Sequence, residues 1–292
     1  MREPSKKPDQ DADALLLGHS SNVCALNVDP EGKFIVSGSW DNDARIWPVG
    51  KWESEVVLRG HDHAPWAVLA YDSNTIITGS GDSNIRVFNR SGKLLRQFAG
   101  SDGPVRSLCK LPKGHSSGAE FASAANDGVI RFWSLSGQNL GEARGHESFV
   151  YSIAALPNGE LVSSGEDRTV RVWKGTECIQ TITHPAISVW QVAVCAQTGD
   201  IATGASDKIL RVFTRASERF ADAETTKQFE DSVKESSIPQ QQVGEINKEK
   251  LPGPDFLTSK AGTKEGQVQM IREINGSVTA HTWSTGKTAT PS

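Results

Sequence analysis

The chain has 292 residues, 37% hydrophobic and 23% charged, the balance of a globular protein and not of a disordered one. Its formal charge of -4 supplies no global positive field for nucleic acid or an anionic membrane. No stretch reaches the roughly 20 apolar residues that span a bilayer. The first residues lack the apolar core of a signal peptide, and 1–13 are expected to be disordered. Cys24, Cys109, Cys178 and Cys195 are scattered without a CxxC pair. That pattern argues against a disulfide or zinc framework and predicts reduced thiols in a cytoplasmic or nuclear protein, with no metal and no cofactor.

From residue 14 a repeat begins. Five segments end SGSWDNDARIW, TGSGDSNIRVF, SAANDGVIRFW, SSGEDRTVRVW and TGASDKILRVF. Their aspartates are Asp41, Asp82, Asp127, Asp167 and Asp207, spaced by 41, 45, 40 and 40 residues. Each Asp has a Ser or Thr four residues earlier (Ser37, Thr78, Ser123, Ser163, Thr203). An Arg follows four residues later (Arg45, Arg86, Arg131, Arg171, Arg211), then an aromatic at six (Trp47, Phe88, Trp133, Trp173, Phe213). His19, His61, His146 and His184 lie about 21 residues before four of the aspartates, and the third repeat has Ser101 there.

A period near 40 with GH and WD-like signatures resembles the WD-repeat family, and the match covers residues 14–214. The resemblance implies an all-β propeller whose repeats are each four short strands of one blade. Both faces of a stacked blade are buried, so its strands read as nearly continuous apolar runs. The resemblance also implies a hydrogen-bonded tetrad of His, Ser/Thr, Asp and Trp in each blade. The third repeat lacks His, and the second and fifth carry Phe88 and Phe213. Those three tetrads are expected to be incomplete, and blades three and five the softer ones. The interior arginines are expected to lay their stems beside the aromatic two residues on.

His146, Ser163 and Asp167 are also the residue types of a hydrolase triad. The set recurs around the repeats at fixed offsets and no G-x-S-x-G elbow is present, so a structural role is expected and not an enzyme. Two sets of positions point to a binding end instead. One precedes each Asp: Trp40, Gly81, Asn126, Glu166 and Ser206. The other starts each first strand: Cys24, Trp66, Arg106, Tyr151 and Trp190, with Phe149 nearby. Exposed aromatics with Arg are the composition of a protein-binding hot spot.

Beyond the repeats, residues 215–262 read as a polar linker with a possible short helix over 215–236. From 263 to 292 the pattern changes: Val268, Met270 and Ile274 precede Asn275-Gly276, and Val278, Ala280 and Trp283 follow, a hairpin signal. Residues 12–18, ADALLLG, are expected to close the ring as the outer strand of the last blade.

The repeats together with the linker IPQQQVGEINKEKLPGP and the opening GQVQMIREINGSVTAHTWS resemble the phospholipase A-two-activating protein (PLAA) family. The resemblance implies a seven-bladed propeller, a central α+β ubiquitin-binding (PFU) domain and a C-terminal helical PUL domain. Measured against that pattern the chain is expected to be truncated at both ends, with five blades and residues 263–292 as the start of the PFU domain. The implied function is a ubiquitin-binding adaptor of an AAA segregase, valosin-containing protein. The segregase is bound through the PUL domain and is not expected to bind this chain. Ubiquitin's apolar patch and basic rim suit Trp40, Trp66, Tyr151 and Glu166. A general scaffold for phosphoproteins or other peptides is the alternative, although only Arg106 offers the cation that phosphopeptides need.

Overall fold

The computed structural model describes residues 15–51, 53–236 and 268–275. They fall into two compact units, Met1–Leu108 and Cys109–Ser292. Among the described residues there are five four-stranded antiparallel sheets, one per repeat. Blade one is β1 (Val23–Val28), β2 (Phe34–Ser39), β3 (Ala44–Pro48) and β4 (Val56–Leu58). Blade two is β5 (Ala67–Ala70), β6 (Thr75–Gly79), β7 (Asn84–Asn89) and β8 (Leu94–Ala99). Blade three is β9 (Val105–Lys110), β10 (Phe121–Ala125), β11 (Ile130–Trp133) and β12 (Asn139–Ala143). Blade four is β13 (Val150–Ala155), β14 (Leu161–Gly165), β15 (Thr169–Lys174) and β16 (Glu177–Thr183). Blade five is β17 (Val189–Val194), β18 (Ile201–Ala205), β19 (Ile209–Thr214) and β20 (Gln269–Asn275).

One turn recurs between the second and third strands. The Asp carboxylate accepts the backbone N–H two residues on, at 3.1 Å for Asp41, 2.9 Å for Asp82 and 3.1 Å for Asp127, Asp167 and Asp207. This side-chain turn lets the following residue take the left-handed conformation. Asn42, Ser83, Gly128, Arg168 and Lys208 all have φ between 67° and 77°. The repeated Asp is thus a backbone requirement before it is anything else.

In the first unit, Phe34, Val36, Ile46 and Leu58 of blade one pack on Val68, Ala70, Ile76 and Phe88 of blade two. In the second unit, Val162, Val170 and Val172 of blade four pack on Val189, Val192, Ile201 and Phe213 of blade five. Alternate residues of each middle strand serve opposite faces, and both faces are covered, which is why the alternation is faint in the sequence.

The outer strand of blade five corrects the sequence reading in two ways. Residues 15–22 form no strand, and Leu15 and Leu17 are exposed. The fourth strand is instead β20, which the sequence places at the start of a separate domain; the expected hairpin partner, 278–283, lies outside the described residues. β19 would otherwise leave a row of unpaired amides and carbonyls, and β20 pairs with them from Ile209↔Asn275 to Thr214↔Gln269. Val268 and Met270 enter the core between blades four and five. The Gln180 side-chain amide holds the Val268 backbone twice, donating to its carbonyl at 2.7 Å and accepting its N–H at 2.8 Å.

Within the expected linker, a 3-10 turn (Ser217–Arg219) precedes α1 (Ala223–Ser236). The helix is docked, not free. Phe229 sits edge-on to Phe213 and His184, with centroids 6.3 and 6.1 Å away. Arg168 donates to the Ser236 carbonyl (3.2 Å) and hydroxyl (2.5 Å) and to the carbonyls of His184 and Ala186. A cation on the last carbonyl of a helix also complements its dipole. Arg168→Ala should remove a charged anchor and cost about 1–3 kcal/mol locally. Hydrogen exchange across 223–236 should quicken while β14 and β15 stay protected; unchanged protection of α1 would show that Phe229 alone holds it.

Candidate functional site

Two of the five repeats build a complete hydrogen-bonded chain. In blade four, Trp173 Nε1–H donates to Ser163 Oγ (2.8 Å), Ser163 Oγ lies 2.6 Å from His146 Nε2, and His146 Nδ1 lies 2.8 Å from Asp167 Oδ2. Blade one repeats it with Trp47, Ser37, His19 and Asp41 at 2.7, 2.7 and 2.9 Å. The donors fit one direction: indole N–H to hydroxyl, hydroxyl to imidazole, imidazole N–H to carboxylate. Burial raises the Asp167 pKa, but the His146 hydrogen bond and charge, then Thr169 and the Glu147 N–H, outweigh it and hold the carboxyl at about 2.

The other three repeats rearrange as the sequence requires. Phe88 and Phe213 have no N–H to give, so His61 and His184 reach only Thr78 (2.8 Å) and Thr203 (3.0 Å) through Nε2. Their Nδ1 atoms are buried without a hydrogen bond of ordinary geometry. Blade three keeps only Trp133 to Ser123, at 2.8 Å. In all three, the Arg turns to the vacated carboxylate: Arg86–Asp82 at 2.8 Å, Arg131–Asp127 at 2.6 Å and Arg211–Asp207 at 2.8 Å. These ion pairs are a further role for arginines whose stems were expected beside their aromatic neighbours, and the residue spacing does not foresee it. Where His holds the Asp, Arg45 donates to Ser54 and Arg171 to Thr169, with Arg171 left 3.9 Å from Asp167.

The predicted binding positions lie at one end of each blade. The turn residue before the Asp donates its N–H to the loop entering the first strand: Trp40 to Asn22, Gly81 to Ala64, Glu166 to Phe149 and Ser206 to Ser188. Cys24, Tyr151 and Trp190 are the extra residues of β-bulges, skipped between Val23 and Ala25, Val150 and Ser152, and Val189 and Gln191. A bulge re-aims a side chain and interrupts the ladder, a device frequent beside binding sites.

In the first unit this end carries an aromatic cluster. Trp40, half exposed, meets Trp66 with centroids 5.6 Å apart, and the Arg106 guanidinium stacks over Trp66 at 4.1 Å. His63, which the repeat pattern does not single out, completes it at 5.9 Å from Trp40 and 5.4 Å from Trp66. The signal was Gly81: a Cβ there would lie 2.4 Å from His63 Nδ1, so only glycine leaves room for the ring. In the second unit Phe149 meets Tyr151 edge-on at 6.4 Å, Glu166 accepts from Ser148 at 3.0 Å, and Trp190 is half exposed. Ile187, 80% exposed, lies in the same loop as Ser188 and was also missed. Asn126 occupies the equivalent turn of blade three.

Residues 13–48, 52–89, 92–134 and 137–174 match WD40, the "WD domain, G-beta repeat" family. Ubiquitin homeostasis protein lub1 of Schizosaccharomyces pombe is 44% identical over 270 residues, 92% of this chain and 36% of that protein. Phospholipase A-2-activating protein of Xenopus laevis is 43% identical over 110 residues, 37% of this chain and 13% of that protein. The crystal structure of the WD40 β-propeller domain of Doa1 superposes with a TM-score of 0.65 at 37% identity, covering 71% of this chain and 68% of that one. The chain belongs to the WD40-repeat family of Lub1, phospholipase A-2-activating protein and Doa1. It spans about a third of the length of Lub1.

Within a WD40 propeller the Ser–His–Asp sets act as fasteners. Ser163 already accepts the Trp173 N–H and is fully buried, so no substrate carbonyl reaches its oxygen. The bond from strand β14 through His146 to the Asp167 turn ties the outer loop of the blade to its middle strands.

Proposed function

We propose that this chain is a non-catalytic ubiquitin-binding adaptor, cytoplasmic and nuclear, and that it engages ubiquitin through the bulged, aromatic-rich ends of its blades. The observation that carries this reading is the partly exposed cluster of Trp40, His63 and Trp66 with Arg106 stacked on it. Rigid aromatic anchors lose little conformational freedom on binding and bury large areas. In the first unit the cluster offers an apolar centre with one cation; in the second, Phe149 meets Tyr151 edge-on and the Glu166 carboxylate accepts from Ser148. An apolar protein patch is complementary to either set of aromatics, and a basic rim to the Glu166 carboxylate. The names of Lub1, a ubiquitin homeostasis protein, and of a ubiquitin fusion degradation protein 3 homolog of Caenorhabditis elegans, 29% identical over 243 residues, support the choice of ubiquitin. The segregase contact implied by the family resemblance is not proposed for these residues.

Isotope-labelled ubiquitin titrated with the chain should show shifts centred on its apolar patch. Trp40→Ala and Trp66→Ala should each weaken the interaction by about tenfold or more, with circular dichroism unchanged. Affinity unmoved by both substitutions would remove this site from consideration.

A further inference from the structure

Blade five departs from its relatives at one backbone position. The residue after the repeat histidine donates its N–H to Oδ2 of the turn Asp in blades one, two and four: Ser20 to Asp41 (2.9 Å), Asp62 to Asp82 (2.9 Å) and Glu147 to Asp167 (3.1 Å). In blade five that residue is Pro185, which has no N–H to give. Asp207 Oδ1 still accepts the Ile209 N–H at 3.1 Å. Oδ2 keeps the Arg211 guanidinium at 2.8 Å but has no hydrogen bond of ordinary geometry. A buried carboxylate oxygen that lacks its donor is where an N–H from outside the chain gains most. The Asp207 side chain, 21% exposed, lines a cavity of about 560 Å³ that lies between blade five and α1 and opens to solvent. That volume falls in the range of ligand pockets, roughly 300–1,000 Å³. Pro185, Ile209, Phe229 and Ile271 make its apolar wall, and Thr225 and Ser232 of α1 face it from the helix. Asp207 and Arg211 are its only charged lining residues, and they pair with each other.

We propose that this cavity is a second binding site, and that its ligand is an uncharged peptide segment of a partner protein. An aliphatic side chain of that segment lies on Ile209, Ile271 and Phe229, and an adjacent backbone N–H donates to the Asp207 carboxylate in the place that Pro185 leaves open. The charges select this chemistry. An ammonium group would meet Arg211, which already neutralises the carboxylate, and a ligand carboxylate would meet Asp207. A neutral amide meets neither penalty. The apolar wall then supplies the area and the single donor fixes the orientation, the usual division of labour in a small pocket. The site lies wholly within the second unit and uses none of the aromatic residues assigned to ubiquitin.

Methyl NMR of the full chain, labelled at its isoleucines, tests this with N-acetyl-leucine N-methylamide as the probe. The Ile209 and Ile271 methyls should shift together, with a dissociation constant on the order of a millimolar, the strength that a ligand of about a dozen non-hydrogen atoms supplies. The fully N-methylated probe keeps the apolar body and has no N–H, and it should bind about tenfold more weakly. Pro185→Ala returns the backbone N–H that the other blades use, so it should compete for Asp207 and weaken the first probe by a similar factor. Thr225→Phe fills the cavity from the exposed helix and should abolish both sets of shifts, with circular dichroism unchanged. Unmoved Ile209 and Ile271 methyls in the wild-type chain, or equal affinity for the two probes, overturns the proposal. So does binding that is indifferent to both Pro185→Ala and Thr225→Phe.

Discussion

Acidification from pH 6.5 to about 4 should destabilise the protein steeply, and His61→Gln combined with His184→Gln should remove most of that slope. Both imidazoles are buried, one nitrogen bonded to a threonine and the other near a backbone carbonyl, that of Asn42 for His61 and of Ile182 for His184. Burial, then the positive charge of Arg86, pushes the His61 pKa down from 6.5 to about 4, against a smaller opposing pull from Asp82. Burial, then Arg211, pushes His184 to about 3. In the folded chain both rings therefore stay neutral over this range. In the unfolded chain they bind protons below about pH 6.5, so the unfolded state takes up more protons and stability falls as the pH falls. The stabilisation is complete above the unfolded value and is lost progressively towards the folded one. By pH 4 each site should have lost on the order of 3 kcal/mol, a large share of the margin of an ordinary domain. His115, whose pKa burial also lowers, adds to the slope in the same window, whereas the Asp167 carboxyl, held at about 2, contributes losses only below about pH 4. Urea midpoints measured against pH decide the matter. Glutamine keeps the hydrogen bond to threonine, so the variant should be weaker at neutral pH but nearly flat between 6.5 and 4. An equal slope in both proteins would assign the acid sensitivity to other groups.

Ser163→Ala should cost about twice as much as Ser123→Ala, although both delete one buried hydroxyl. Ser163 serves two partners, the Trp173 indole N–H and His146 Nε2, whereas Ser123 serves Trp133 among its bonded tetrad partners. Each buried polar group stranded by the substitution costs about 1–3 kcal/mol. The Ser163 variant should therefore lose roughly 2–5 kcal/mol and the Ser123 variant roughly half of that. His146 also holds the Asp167 turn, so its loosening should speed amide exchange at Glu147 and Thr169, whose N–H groups bond to that carboxylate. Equal losses in the two variants would mean that the tetrads do not act as connected chains.

Much of this was legible in the residues. Five repeats of Asp, Arg and aromatic at fixed offsets gave five four-stranded sheets, because each Asp closes a turn and each flanking apolar run is too short for anything but a strand. The incomplete tetrads were legible too: Phe88 and Phe213 lack the N–H that Trp47 and Trp173 donate, and Ser101 stands in for a histidine. The arginine–aspartate pairs were not legible, because spacing shows which residues share a turn but not which of two donors reaches a carboxylate first. His63 escaped notice since it belongs to no repeated position; its place depends on the missing side chain at Gly81.

What the sequence determined by itself is therefore local: strand, turn and strand again, with the polar fasteners at each turn, all within about forty residues. Tertiary structure alone decided what completes blade five. β19 required a partner, and two segments, 12–18 and 268–275, carry suitable apolar patterns. β20 takes the place through Val268, Met270 and the paired bonds of Gln180. Helix α1, legible only as a weak stripe, owes its docking to Phe229 and to Arg168, which reaches it from the blade-four turn. Strand pairing depends on which edge is free and which side chains find a core, and neither is written in the spacing of residues along the chain.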